Sequence, residues 1–482
     1  MNLIPLIISQ MFFTGSADVQ YWRWREPDHE RLQSIFDITA YWESWEIGGK
    51  FLYLQPSRTM IQPSYEDLAQ KYAAYSSDLV SVRAGSYYAS FGRGLVLAGI
   101  KDDQLMLDRW LEGGDVIARW GPLEGEFLSG TKREIYYYDF KKDTDRTLRA
   151  GRLSLVGLPH LELTGAYARI NHPQYDSTYK QEFSSGAVEV KFPILSAYGE
   201  IVRREGFFAP AYYEGDTTPD TTTLSYYAAV SVGLPKFNIL IESKDYNLLA
   251  NGFNNPPPIN LYGVYLTDTL DEAGHGLTLS ASPIEGLTLT GHRSFSGRPV
   301  SSHRVEENYL LGSYRKTGLF RITAKIDHLL VDSVLREIYN DTLEPMVEKR
   351  REMTPGGELV LYFLKEASFT IAYDHRIRTD LYHHYQDTVL VPDTLDYADR
   401  KLKLGLAWAP VGSVWWTYSD RRTSEGTCMG AWRAWEISLH LNERLDAMVF
   451  YGSQPAGVLC SGGICRTEPE FDGVKLWLMG RF

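Results

Sequence analysis

From about residue 151 to the C-terminus, apolar and polar residues alternate with a period of two along segment after segment. In residues 401–409, leucines and a tryptophan occupy the even positions, whereas Lys401 and Lys403 occupy odd ones. Residues two apart on a β-strand share a face, so each such segment is predicted to be a strand with one apolar face. The opposite face carries full charges at mid-strand, and burying these in an apolar core would be costly. The charged face is therefore predicted to contact water or other polar groups.

Very short turns join these strands in pairs, and long polar connections rich in Pro, Asn, Asp, Gly and Thr separate the pairs. The short turns fall near Pro159, Pro193, Pro235, Glu285, Gly318, Glu366, Gly412 and Glu443. Consecutive strands run in opposite directions, and short turns alternate with long connections. Every short turn is therefore predicted to lie at the same end of the sheet.

Aromatic residues border the apolar face of several strands: Tyr167, Tyr373, Trp408, Tyr451 and Phe482. An apolar band between aromatic residues, with short turns alternating with long loops, is typical of a transmembrane β-barrel. Lipid offers backbone groups no hydrogen-bond partners, so such a sheet must close on itself. We therefore expect an all-β fold: a transmembrane antiparallel up-and-down β-barrel with short periplasmic turns and long extracellular loops.

The number of strands follows from their spacing. Roughly 17 strands are predicted between residue 151 and the C-terminus. The N-terminal third is less regular and offers six strand-like segments, one of which is expected to lie off the wall. Since single-chain bacterial barrels have even strand numbers, we predict about 22 strands, within a range of 20 to 24.

The chain ends on the strand-like segment GVKLWLMGRF, residues 473–482. A closed barrel pairs its last strand with its first, which would place Phe482 at the rim that carries the short turns. This ending resembles the C-terminal signal of outer-membrane barrels in Gram-negative bacteria. The resemblance implies a location in the bacterial outer membrane, with Phe482 as an assembly signal for the barrel-assembly machinery.

The first 17 residues have an apolar middle followed by Gly15-Ser16-Ala17, the small-residue pattern of a secretory cleavage site. We predict that residues 1–17 are a signal peptide and that residues 18–482 form a single barrel domain. The segment departs from the usual pattern in lacking Lys or Arg near Met1, and the alternative is an ordinary first strand. Outer-membrane lipid and lipopolysaccharide are the expected partners, whereas a net charge of -12 disfavours a nucleic-acid partner.

One N-terminal segment, residues 85–99, contains the sequence Phe-Gly-Arg-Gly-Leu at positions 91–95. It resembles a motif in an uncharacterised family of outer-membrane barrel proteins, and the resemblance extends over residues 80–124. That family implies no activity. Residues 55–113, or a folded-in loop at 246–274, are expected to contribute a plug in the lumen, and Arg93 is expected to pair with a carboxylate.

Charged residues on the polar faces are the predicted lumen-facing, solute-binding positions. They are Arg93, Glu189, Lys191, Arg321, Lys325, Glu366, Lys401, Lys403 and Glu436. Because both signs occur, the pattern favours neither strong anion nor strong cation selectivity.

The chain has three cysteines, of which Cys460 and Cys465 are close enough in a Gly-rich turn to form a disulfide, leaving Cys428 over. Zinc-ligand spacing and the calcium loop of EF-hands are absent from the sequence. His383 and His384 lie near acidic residues without the spacing of a catalytic pair. We predict no metal site, no cofactor and no enzymatic activity.

The expected function is a pore or transporter for small polar solutes, since a barrel of this size is wide enough for water unless something fills it. One alternative is a non-conducting surface or scaffolding barrel whose loops bind an envelope partner. A secreted β-propeller is disfavoured, because a propeller blade fits four short strands into the length that holds two long strands here.

Overall fold

The computed structural model describes fourteen ranges of the chain, and only these are discussed below. They are residues 11–25, 29–55, 65–102, 107–136, 146–171, 180–206, 222–249, 252–261, 271–297, 304–335, 346–386, 389–461, 464–468 and 470–482. Within these ranges, no helix has the length and apolar character needed to cross a membrane.

The regular elements are β-strands. They are β1 (Phe12–Trp24), β2 (His29–Trp42), β3 (Trp45–Gln55), β4 (Tyr65–Ser76), β5 (Val80–Tyr87), β6 (Ser90–Phe91), β7 (Leu97–Ala98), β8 (Ile100–Asp102), β9 (Leu107–Trp120), β10 (Leu123–Tyr136), β11 (Thr147–Leu158), β12 (Leu161–Asn171), β13 (Lys180–Lys191), β14 (Leu195–Gly206), β15 (Thr223–Leu234), β16 (Phe237–Tyr246), β17 (Glu272–Ala281), β18 (Leu287–Gly297), β19 (Arg304–Lys316), β20 (Phe320–Leu335), β21 (Met346–Leu364), β22 (Ala367–Gln386), β23 (Val389–Trp408), β24 (Gly412–Thr423), β25 (Cys428–Asn442), β26 (Leu445–Gln454), β27 (Gly457–Ser461), β28 (Ile464–Glu468) and β29 (Phe471–Arg481).

One antiparallel sheet forms the wall and closes on itself. Each wall strand pairs with the next wall strand along the chain, and β29 pairs with both β26 and β1. The sheet has 25 strands, of which β8 pairs only with β9, so the closed wall has 24. This confirms the predicted all-β antiparallel barrel and rules out a propeller.

The predicted central number of 22 strands is two too low, although 24 lies within the predicted range. The additional wall strands are β1, assigned in the sequence to a signal peptide, and β4, whose Ala, Gln and Lys residues give a weak apolar face. The strand-like segment around Leu95 does lie off the wall, as expected of one of the six N-terminal segments.

The two faces of the wall can be followed through the register, because directly paired residues share a face. Phe183 of β13 is fully buried against residues that lie inside the barrel, so its side of β13 faces inward. Direct pairing from strand to strand places Lys403 on β23 and Lys475 on β29 on the same inward face. Ile437 follows the inward residue Glu436, and Leu476 follows Lys475. Both therefore point outward, and they are 36% and 43% exposed, respectively. The charged residues of these strands therefore lie on the lumen face, and their outer face is apolar.

Outward aromatic residues lie at two heights on the wall. Trp408 and Phe482 lie at the short-turn rim, whereas Tyr167, Tyr373 and Tyr451 are each the seventh residue of a strand that starts from a short turn. With a rise of about 3.3 Å per residue and a tilt of about 40°, the two levels are roughly 15 to 20 Å apart along the barrel axis. This separation fits within the apolar band of about 25 Å that outer-membrane barrels present to lipid.

Phe482 closes the seam between the two ends of the chain. The backbone nitrogen of Gly15 donates to the Phe482 carbonyl at 2.9 Å, and that of Phe482 donates to the Gly15 carbonyl at 3.0 Å. The phenyl ring lies against Gly15 so closely that a Cβ there would fall 2.4 Å from a ring carbon. The seam therefore requires glycine at position 15, since a side chain would displace the ring.

We expect Phe482→Ala to reduce the yield of folded barrel severalfold, because it removes the ring that covers Gly15 and alters the predicted assembly signal. The measurement is the heat-modifiable folded fraction in membrane preparations. Phe192→Ala is the matched control, since Phe192 is an aromatic residue 49% exposed at the same rim but outside the seam. Equal losses from the two substitutions would show that Phe482 has no special role in assembly.

The predicted signal peptide overlaps the first wall strand. Phe12 to Ala17 belong to β1 and pair with residues 36–41 of β2. Cleavage before Asp18 stays a prediction, which N-terminal sequencing of the membrane-inserted protein checks directly.

Candidate functional site in the lumen

A short hairpin leaves the wall between β5 and β9 and packs inside the barrel. We call residues 89–99 the plug hairpin; it contains β6 and β7, which pair with each other and with no wall strand. Phe91, Leu95, Val96 and Leu97 of this hairpin are at most 1% exposed. They belong to one apolar cluster together with inward residues of β10 to β15, namely Leu128, Leu148, Ala150, Ala166, Ala168, Ile170, Phe183, Val202 and Tyr227. The hairpin therefore covers one side of the lumen.

A second segment lies against the plug hairpin. We call it the lumen loop: residues 247–261, of which 250–251 fall outside the described part of the chain. The Ala98 nitrogen donates to the Phe253 carbonyl at 2.7 Å, and the Asn254 side-chain amide donates to the Leu95 carbonyl at 3.1 Å. Residues 89–99 of the predicted segment 55–113 and residues 247–261 of the predicted loop 246–274 thus contact each other inside the barrel, whereas β4, β5 and β9 of the first segment belong to the wall. That they block passage stays a prediction.

The Gly-Arg-Gly turn of the plug hairpin explains its glycines. Gly92 and Gly94 have φ values of +62° and +82°, which residues with a side chain rarely adopt. A Cβ at Gly92 would lie 2.1 Å from a carboxylate oxygen of Glu200, and one at Gly94 would lie 2.5 Å from the Asn255 carbonyl oxygen. Both glycines are therefore required by backbone conformation and by close neighbours.

Arg93 connects this turn to the wall. Its backbone nitrogen donates to Glu200 Oε2 at 3.1 Å, and its guanidinium lies 3.7 Å from Glu189 Oε1 and 4.6 Å from the centre of the Tyr198 ring. Glu189 also pairs with Lys191 at 2.9 Å. The structure thus brings Arg93, Glu189 and Lys191 together, with the carboxylate partner that the sequence led us to expect for Arg93. Their role in solute binding stays a prediction.

The other predicted lumen residues lie on the opposite part of the wall, on β20 to β25. Arg321 pairs with Glu358 at 2.6 Å, and Lys325 pairs with Asp374 at 2.8 Å. Lys401, Lys403 and Glu436 share this inward face, as shown in the register. Glu366 differs, because it lies in the short turn before the first residue of β22.

The size of the wall decides how much of the lumen the two segments occupy. For a circular cross-section, 24 strands spaced about 4.8 Å apart and tilted about 40° enclose a lumen roughly 35 Å wide after allowing for side chains. One layer of chain is about 10 Å thick. Among the described residues, the plug hairpin packs against inward residues of β10 to β15, whereas the inward side chains of Arg321 and Lys325 on β20 remain 43% and 36% exposed.

The two cysteines predicted to pair lie directly opposite each other in the β27–β28 hairpin. Antiparallel partners have Cα atoms about 4.5 to 5.5 Å apart, within the range that a disulfide spans. The disulfide itself stays a prediction. The third cysteine, Cys428, is an exposed free thiol.

We expect iodoacetamide to label one of the three cysteines in the non-reduced, denatured protein and all three after reduction. The mass shift of the intact protein measures the number labelled. Three labels without reduction would contradict a Cys460–Cys465 disulfide.

No group of three or more His, Cys, Asp or Glu side chains in the described ranges is arranged to hold a metal ion. The predicted absence of a cofactor and of catalysis stays a prediction.

Residues 16–146 match the model of a family of unknown function, DUF6029. The match spans the plug hairpin and supports a resemblance to a family of unknown function, whereas the Phe-Gly-Arg-Gly-Leu sequence as a motif of that family stays a prediction. No curated protein matches the chain.

Among solved structures, the chain is similar to the translocation pore of the P pilus usher PapC, with a TM-score of 0.49, 7% identity and coverage of 98% of this chain and 99% of that one. It is also similar to the siderophore receptor PirA from Pseudomonas aeruginosa, with a TM-score of 0.48, 10% identity and coverage of 98% and 80%. The copper transporter OprC gives a TM-score of 0.46, 9% identity and coverage of 98% and 80%. These similarities assign no function to this chain.

Proposed function

We propose that the protein is a pore or passive transporter for small polar solutes in the bacterial outer membrane. The observation that carries this proposal is that inward charges on β20 remain accessible to water: the side chains of Arg321 and Lys325 are 43% and 36% exposed. A structural core would not hold so many wetted charges.

The apolar outer band and its two aromatic levels support placement in a membrane. In this proposal the short turns face the periplasm, the long connections face the outside, and lipid and lipopolysaccharide surround the wall. The barrel-assembly machinery would recognise β29 and Phe482.

Planar-bilayer conductance tests the proposal, and the plug hairpin offers a sharp variant. The Gly99 nitrogen donates to the Ala89 carbonyl at 2.7 Å, so the two ends of the hairpin already meet. Replacing residues 90–98 with Asn-Gly removes the insert while leaving β5 and β9 in register. We expect single-channel conductance to rise roughly 1.5-fold or more, because the replacement removes a layer of chain about 10 Å thick from a lumen roughly 35 Å wide.

Removal of residues 457–468 is the control, since β27 and β28 form a separate sheet and do not belong to the wall. Its conductance should equal that of the unmodified protein. A correctly inserted barrel that never conducts, with or without the plug hairpin, would refute the pore and favour the alternative of a non-conducting surface or scaffolding barrel.

A further inference from the structure

Two lysines on the lumen face of β23 differ from the other charged residues around them. Neither Lys401 nor Lys403 has a carboxylate within ion-pair distance among the described residues, whereas their neighbours are paired. Asp374, directly opposite Lys401, is bound by Lys325 at 2.8 Å, and Glu352 is bound by Arg376 at 3.3 Å. The carboxylate directly opposite Lys401 is therefore engaged by another lysine, and neither Lys401 nor Lys403 has an ion-pair partner of its own among the described residues.

Hydroxyl groups lie beside both lysines on the next strand. Lys401 is paired in register with Ser419, and Lys403 with Thr417, so all four side chains share the inward face. Ser419 is buried and Thr417 half-buried, whereas the longer Lys401 side chain is exposed to the lumen. Two ammonium groups and two hydroxyls are together a set of hydrogen-bond donors suited to an anionic oxygen.

The ammonium group of Lys403 is held in place by Trp415. It lies 4.6 Å from the centre of the indole ring, within cation–π range. The ring in turn covers Gly405, where a Cβ would fall 2.3 Å from a ring carbon, and its Nε1 donates to Ser413 at 3.2 Å. This fixes the ring, and Glu436 lies opposite it on β25, on the side away from the lysines.

We infer that Lys401, Lys403, Thr417 and Ser419 form a binding site for a small oxyanion, a phosphate or a carboxylate, in the lumen. The inference rests on the proposed function and gives that pore a preference for anionic solutes. The chain has a net charge of -12, so the electrostatic field around it is mostly negative. Two lysines without ion-pair partners reverse the sign of that field locally. The mixed signs of the lumen charges favoured no selectivity, but pairing cancels many of these charges, and Lys401 and Lys403 are not among the paired ones in the described ranges.

Isothermal titration of the full-length barrel in detergent tests binding without requiring conduction. Inorganic pyrophosphate and citrate are the two probes, one for each class of oxyanion. We expect saturable binding of at least one, and an affinity loss of about tenfold or more in the double variant Lys401→Gln, Lys403→Gln, because both charges that attract the anion are removed. The double variant Lys236→Gln, Lys365→Gln changes the net charge equally in two short turns and should bind like the unmodified protein.

Reversal potentials in a KCl gradient provide the second measurement. We expect roughly twofold preference for chloride over potassium, lost in the Lys401/Lys403 variant and kept in the control. Failure of both probes to bind, or equal binding by the lysine variant with its folded fraction unchanged, overturns the anion site. A barrel that binds pyrophosphate but never conducts would refute the pore and support the anion-binding site. A barrel that conducts but binds neither probe would support the pore and refute the anion-binding site.

Discussion

Ile437→Arg is expected to lower the free energy of unfolding by about 2 to 4 kcal/mol, the cost of an arginine facing the middle of the bilayer. Ile437 points outward and pairs with Val449, which pairs with Leu476, so the three form an apolar row around the wall. The row lies between the level of Tyr451 and the short-turn rim. An arginine there would have to reach past lipid to find water.

Ser438→Arg is the matched control, because Ser438 is the next residue along β25 and faces the lumen. The same side chain then enters water, and the free energy of unfolding should change by less than about 1 kcal/mol. Urea titration of both variants in lipid vesicles, followed by tryptophan fluorescence, gives the comparison. A larger loss for Ser438→Arg than for Ile437→Arg would mean that the assignment of the two faces is reversed.

Gly94→Val is expected to detach the plug hairpin while leaving the wall intact. A side chain in the left-handed region costs about 1 to 2 kcal/mol, and more for a β-branched one. The new Cβ would also meet the Asn255 carbonyl oxygen at 2.5 Å, which is backbone and has little freedom to move. The hydrogen bond from the Asn255 nitrogen to the Gly94 carbonyl, 2.9 Å long, would be lost with it.

Limited trypsin digestion with mass spectrometry measures detachment, because Arg93 lies in the affected turn. Cleavage after Arg93 should become several times faster in the Gly94→Val barrel. Gly186→Val is the control, since Gly186 is a wall glycine with open space around it and no positive φ. Equal cleavage rates at Arg93 in the unmodified and Gly94→Val proteins would show that the turn tolerates a side chain.

Most strands of the wall could be predicted from the sequence because each follows a local pattern, the alternation of apolar and polar residues. Alternation and turn residues predicted the eight C-terminal short turns, and all eight join consecutive strands. The 17 strands predicted after residue 151 are found in the wall. The rule fails at β4, where alanines and a glutamine weaken the apolar face without preventing backbone pairing with β3.

The contacts inside the lumen could not be predicted from this alternation, because they join distant parts of the chain. Arg93 meets Glu200 across 107 residues, and Asn254 meets the Leu95 carbonyl across 159. Local periodicity has no information about such pairs. The sequence indicated only which segments were candidates and, through Gly-Arg-Gly, a tight turn or a close backbone approach, and the structure has both at that turn.

The meeting of Ala89 and Gly99 at the base of the plug hairpin has an evolutionary consequence. An insert whose ends already touch can be lengthened, shortened or exchanged without shifting any neighbouring strand. Relatives of this chain can therefore vary the segment that occupies the lumen while inheriting an unaltered barrel wall.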